Sequence, residues 1–109
     1  MDSEQKALSL LGLARKAGKI AAGEFSTEKA VKGGAAFMVF ISTDASENTK
    51  KKFRNMCEWH KVPIICMADM EKLGRSIGCG DRSSLAVLDQ GFAKAIEKAF
   101  GTDADTERR

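Results

Sequence analysis

The run Phe37–Ile41, reading FMVFI, constrains the fold more than any other segment. It is of strand length and too short for an ordinary helix. Its apolarity is continuous rather than alternating, which means that the strand is covered on both faces. Similar runs follow at Val62–Met67 and Leu85–Leu88. Pro63 lies near the start of the former, where a missing N–H is tolerable. A shorter extended piece, Ile20–Ala22, stands before Gly23.

Helical periodicity fills the intervals. Ala7, Leu10, Leu11 and Ala14 recur at spacings of three and four within Ser3–Ala17, with Ser3 as the expected N-cap and Gly18 as the stop. A second helix is expected from about Ser26 to Lys32, capped by Ser26 or Thr27 and ended by Gly33-Gly34. A third begins near Ser46, after the turn Ser42-Thr43-Asp44. Phe53, Met56, Cys57 and His60 form its inner face, and Lys50, Lys51 and Arg54 its outer one. A short helix at Asp69–Ser76 is capped by Asp69 and broken by Gly78-Cys79-Gly80. A last helix, Gln90–Phe100, turns Phe92, Ala95, Ile96, Ala99 and Phe100 inward. Such alternation predicts an α/β fold, a central sheet with helices on both faces. Residues 1–101 are expected to form one domain, and 102–109 a polar, disordered tail.

Hydrophobic residues make up 43% of the 109, enough for one core and too many for a disordered chain. The net charge of +3 permits a nucleic-acid partner without demanding one. Placement says more: Arg15, Lys16, Lys19, Lys29 and Lys32 crowd the first third. With one Trp and no Tyr, a binder that stacks successive bases of a single strand is disfavoured. No apolar run is long enough to span a membrane, and the polar start lacks a signal-peptide core. Cys57, Cys66 and Cys79 are odd in number and form no C-x-x-C pair, so a cytoplasmic protein with reduced thiols is expected.

Two glycine turns carry the chemistry. In GEFSTEKAVKGG (Gly23–Gly34) a glycine turn runs into a helix start, with Lys29 close behind. Free N–H groups and the helix dipole attract anions there. The second turn is GRSIGCGDR (Gly74–Arg82). It has no Walker spacing, and Ser83 stands where G-x-G-x-x-G needs its third glycine, so a nucleotide cradle is disfavoured. It can still offer Arg75, Ser76 and Arg82 to a phosphate backbone. Brought together, the two turns make a basic ledge suited to RNA; apart, they are ordinary surface turns.

Cys57-x-x-His60 has metal-ligand spacing, but there is a single histidine and no converging ligand set. A packed core cysteine beside a half-buried histidine is the expected role. No third group orients the pair for nucleophilic catalysis, nor does anything single out Cys79 as a nucleophile, so no enzyme, metal or cofactor is expected. Lys50-Lys51-Lys52 reads as a solvated helix face.

The chain resembles the superfamily of kink-turn RNA-binding ribosomal proteins, the L-seven-Ae family, and within it the bacterial YlxQ-type members. The matching stretches are LLGLARKAGK (Leu10–Lys19), GEFSTEKAVKGG (Gly23–Gly34), STDASENTKKK (Ser42–Lys52), KVP (Lys61–Pro63), LGRSIG (Leu73–Gly78) and LAVLDQGFAKAI (Leu85–Ile96). The resemblance implies a three-layer α-β-α sandwich around a small mixed sheet of about four strands. It implies binding of structured RNA without catalysis, ribosomal RNA among the expected partners, and no small-molecule substrate. The alternative reading is a protein-interaction module that docks on ribosomal or transcription-associated proteins, with little RNA affinity and with Phe25 as an exposed apolar anchor. Carried over by position, Gly23 lets backbone approach closely, and Glu24, Phe25 and Ser26 occupy the base-reading turn. Lys29 contacts phosphate or a guanine edge, and Lys32, Arg82 and Lys16 add phosphate contacts. Ile77, Gly78, Cys79, Gly80, Asp81 and Arg82 form a second loop that covers a flipped-out base. Archaeal-type kink-turn readers carry an Asn-Glu pair where this chain has Phe25 and Ser26. Phe cannot supply the directed donors and acceptors of that pair, and Ser reaches less far, so binding to kinked RNA is expected to survive better than tight kink-turn selectivity. Phe25 is then free either to stack on a base or to staple the helix start.

Overall fold

The computed structural model describes residues 2–100; the tail expected at 102–109 lies outside them. Helices α1 (Ser3–Lys16), α2 (Glu24–Lys32), α3 (Glu47–His60), α4 (Met70–Ser76) and α5 (Gln90–Phe100) alternate with strands β1 (Ile20–Ala22), β2 (Met38–Ile41), β3 (Ile64–Cys66) and β4 (Ser84–Val87). The strands form one sheet in the order β1-β4-β2-β3. β4 runs antiparallel to both of its neighbours, and β2 and β3 are parallel. Thus β1, β2 and β3 point one way, and their C-terminal ends share an edge of the sheet with the start of β4.

Strand alternation distributes the apolar runs over two cores. Met38 and Phe40 face one way, with Leu85 and Val87, against Ala7, Leu11 and Ala14 of α1, Leu73 of α4, and Ala93 and Ile96 of α5. Val39, Ile41 and Ala86 face the other way, against Ala30 and Val31 of α2 and Phe53 and Cys57 of α3. This is the α-β-α sandwich, and it explains why FMVFI is apolar without interruption. Phe40 and Phe53 are both fully buried. Truncation of either to Ala is worth about 3–5 kcal/mol.

Several local expectations are corrected. The cap of α1 is Asp2, whose Oδ1 accepts from the Gln5 N–H at 2.8 Å, rather than Ser3. Helix α2 begins at Glu24 with Gly23 as its N-cap. Ser26 and Thr27 therefore lie inside it, and Thr27 is fully buried. In α5 the buried pair is Ala93 and Ile96, with Ala95 only half-buried. His60 is exposed, because α3 turns only Phe53 and Cys57 into the core. Burial holds the Cys57 thiol protonated, its pKa pushed up to about 11.

Candidate nucleic-acid interface

Helices α2, α3 and α4 all start at the shared strand-end edge. The start of α3 is closed by Ser46, whose Oγ accepts from the Thr49 N–H at 3.1 Å. Two carboxylates close the start of α4: Asp69 accepts from the Lys72 N–H at 2.7 Å, and Asp44 accepts from the Met70 N–H at 3.0 Å. Helix α2 differs, since no side chain caps it. Gly23 stands there at φ 94° and ψ 164°, a region nearly confined to glycine. The N–H groups of its first turn have no side-chain partner, and the positive end of the helix dipole lies at the same place.

The second glycine turn is folded back over α4. The Gly74 carbonyl accepts from the Ile77 N–H at 3.1 Å and the Cys79 N–H at 2.9 Å, and the Arg82 N–H donates to the Met70 carbonyl at 3.1 Å. Gly74 permits this approach: a Cβ there would collide with the Gly80 carbonyl, whose carbon lies 2.7 Å away. The loop then enters β4, and the Ser84 carbonyl accepts from the Gly23 N–H at 2.9 Å. The two turns, distant in sequence, are thereby joined. Arg82 lies beside Gly23, and its Nη1 donates to the Gly80 and Asp81 carbonyls at 3.3 and 2.9 Å.

The residues expected to form one surface divide into three groups. Gly23, Glu24, Phe25 and Ser26 on one turn and Gly78, Cys79, Gly80, Asp81 and Arg82 on the other belong to the joined loops. Phe25 is 79% exposed, so it does not staple the helix start. Lys29 is exposed on α2 one turn beyond Phe25. Ile77 differs from its loop: its side chain is in the core, leaving only its backbone to the surface. Cys79 is half-buried, with Sγ turned to the Ile77 carbonyl at 3.7 Å.

Lys32 and Lys16 stand off the ledge. Lys32 is eight residues along α2 from Glu24, about 12 Å at 1.5 Å per residue. Its ammonium is 2.7 Å from Glu28 Oε2, and Lys52 of α3 is 2.8 Å from the other oxygen of the same carboxylate. These cations hold the Glu28 carboxyl down at about 2. Lys16 ends α1, which leads into the start of β1; Ile20 there pairs with Val87, whereas the ledge adjoins the Ala22 and Ser84 end. Ser76 and Arg75 are also engaged elsewhere, Ser76 Oγ donating to the Leu73 carbonyl at 2.7 Å and Arg75 lying 3.5 Å from Glu71. Sequence reasoning passes over Ser84, whose carbonyl joins the two loops, and places Gly74 at the start of the second turn without its packing role. The signal for Gly74 was present in LGRSIG, a glycine inside a helix, where a packing reason is the usual one.

The chain is thus an α/β three-layer sandwich in which two glycine loops are joined beside a helix start that has no side-chain cap. The chain belongs to the Ribosomal protein L7Ae/L30e/S12e/Gadd45 family, whose model matches residues 5–97. It is 42% identical over 87 residues to the RNA-binding protein YlxQ of Bacillus subtilis (strain 168), covering 80% of this chain and 87% of that protein. The solved structure of a protein with unknown function from Bacillus halodurans C superposes with a TM-score of 0.83 at 37% identity, over 86% of this chain and 95% of the other. The Giardia lamblia 15.5kD RNA binding protein shares the fold, with a TM-score of 0.79 at 19% identity over 92% and 86% of the two chains.

Proposed function

We propose that this protein binds structured, sharply bent RNA of the kink-turn kind, ribosomal RNA among the candidates, and acts by recognition without catalysis. The observation that carries this is the uncapped start of α2 beside Arg82. Of the helices beginning at that edge, α3 and α4 have their N–H groups answered by Ser46, Asp69 and Asp44, while α2 is left for an anion from outside. Backbone donors, a helix dipole and a guanidinium converge there, a combination suited to phosphate. The family and the name of the Bacillus subtilis relative support an RNA partner. Lys29 supplies a phosphate contact, and the loops read shape. Lys29→Glu is the direct test, by titration of a kink-turn RNA. Binding should weaken markedly, and the wild-type log–log salt slope should be about −0.7 to −0.9 per phosphate neutralised. Undiminished binding by the variant would remove Lys29 from the interface. Absence of any RNA binding by the wild-type protein would end the proposal.

A further inference from the structure

A cleft of about 290 Å³ lies between α3 and the edge strand β3, lined by Ile41, Ile64, Cys66, Lys50 and Arg54. Ile64 and Cys66 alternate on the same face of β3, the one facing the α2–α3 layer. Lys50 and Arg54 are one helical turn apart on α3, so both overhang this face. The Lys50 side chain is drawn in to 16% exposure, and its only ion pair among the described residues is a long one, 3.5 Å to Glu47. Arg54 makes no ion pair among the described residues. The cleft thus offers two cationic groups above an apolar floor, answered among the described residues by one exposed carboxylate, Glu47.

Its position in the sheet narrows the choice of anion. Ile41 and Cys66 are the last residues of β2 and β3, so one end of the cleft reaches the strand ends where Gly23 and Arg82 meet, while Ile64 and Arg54 carry it back along β3 and α3. Edge strand β3 is separated from β1 by β4 and β2, a span of about 14 Å at 4.7–4.9 Å per strand. A nucleic-acid strand laid along this end meets both features.

We propose that the cleft is a second phosphate subsite, holding a phosphodiester of the RNA strand that runs off the ledge. It rests on the RNA-binding reading above. Arg54 presents a planar fork of donors and Lys50 a compact charge, so one phosphate is gripped from two directions.

The thiols of the chain provide the test. Cys66 lines the cleft, Cys79 belongs to the ledge loop, and Cys57 is buried as an internal control. The full chain is treated with N-ethylmaleimide, with and without RNA, and each thiol is followed by mass spectrometry; RNA binding is titrated in parallel. Two probes are compared, a minimal kink-turn RNA and the same RNA with one flanking stem extended by a helical turn. At RNA concentrations ten times the Kd, the extended RNA should slow alkylation of Cys66 about tenfold by mass action, and the minimal RNA should not. Arg54→Glu should abolish that protection while both RNAs still bind and still slow Cys79. It should also flatten the salt slope for the extended RNA by about 0.7–0.9, one phosphate's worth. Arg54→Lys should restore most of the protection. Extended RNA that binds and leaves Cys66 open would overturn the cleft assignment and leave the RNA-binding reading standing. Failure of both RNAs to bind would overturn both. Equal protection of Cys66 by inorganic phosphate alone would assign the cleft to a free phosphate and overturn the RNA source.

Discussion

Gly23 and Arg82 are neighbours across the joined loops: a Cβ built on Gly23 would lie 4.0 Å from both Cδ and Nε of Arg82. Space therefore permits a methyl group, and the obstacle to one is the backbone, at φ 94° and ψ 164°. Holding alanine in this glycine region costs about 1–3 kcal/mol. Gly23→Ala should lower the urea midpoint accordingly, and relaxation of the strain should turn the first N–H groups of α2 away from Arg82 and weaken RNA binding. An unchanged midpoint would mean that the turn adopts a different conformation in solution.

Gly74 fails for the opposite reason, since its conformation is helical and its space is taken. A Cβ there meets the Gly80 carbonyl carbon at 2.7 Å and the Asp81 Cα at 3.1 Å. Gly74→Ala should lift the second loop, at about 1–3 kcal/mol for overpacking. Amide exchange should report the lift at Cys79 and Arg82, whose N–H groups are held by the Gly74 and Met70 carbonyls. Protection at both amides equal to that of the wild-type protein would contradict this account of the loop.

These two glycines mark the boundary of what local sequence reveals. Short apolar runs between glycine turns admit few alternatives, so Met38–Ile41 falls inside FMVFI and α5 occupies the expected Gln90–Phe100. Hydroxyl side chains usually cap helices, so the sequence points to Ser26 or Thr27 as the cap of α2. Gly23 takes the cap position through its dihedral angles and leaves the first N–H groups without a side-chain partner, which residue type permits and does not dictate. Position alone groups Ile77 with the surface loop, and its burial follows from the loop's return over Gly74. That the two turns meet depends on β4 lying between β1 and β2, a topological fact that periodicity does not contain. The resemblance to a family, rather than the pattern of residues, pointed to it.

Glu28 of α2 is tied to α3 through Lys52, with Lys32 of its own helix on the other carboxylate oxygen, and these two cations hold its carboxyl at about 2, below the ordinary 4.5. A carboxylate with a lowered folded pKa contributes stability that is present above its unfolded value and lost as pH falls through its folded value. The window is therefore from about 4.5 down to about 2. The group is on the surface, so the effect is small and weakened by salt. Glu28→Gln should unfold at lower urea than the wild-type protein at neutral pH, and the gap should close progressively across that window. A gap of the same size at both ends of the window would show that the link does not act through charge.

Phe25 separates binding from stability more cleanly than any other residue of the ledge. It is 79% exposed on the first turn of α2. Removing an exposed ring changes stability by no more than about 0.5 kcal/mol. A ring stacked on an unpaired base contributes about 1–3 kcal/mol to binding. Phe25→Ala should therefore leave the urea midpoint unmoved and weaken binding of a kink-turn RNA by that amount, with Phe25→Trp retaining most of the affinity. The same exposed ring would serve a protein partner as an apolar anchor. Unchanged RNA affinity in Phe25→Ala, together with loss of a ribosomal-protein pull-down that survives nuclease treatment, would assign Phe25 to protein contact. The uncapped N–H groups of Glu24, Phe25 and Ser26 would then carry the RNA contact at this turn through the backbone alone.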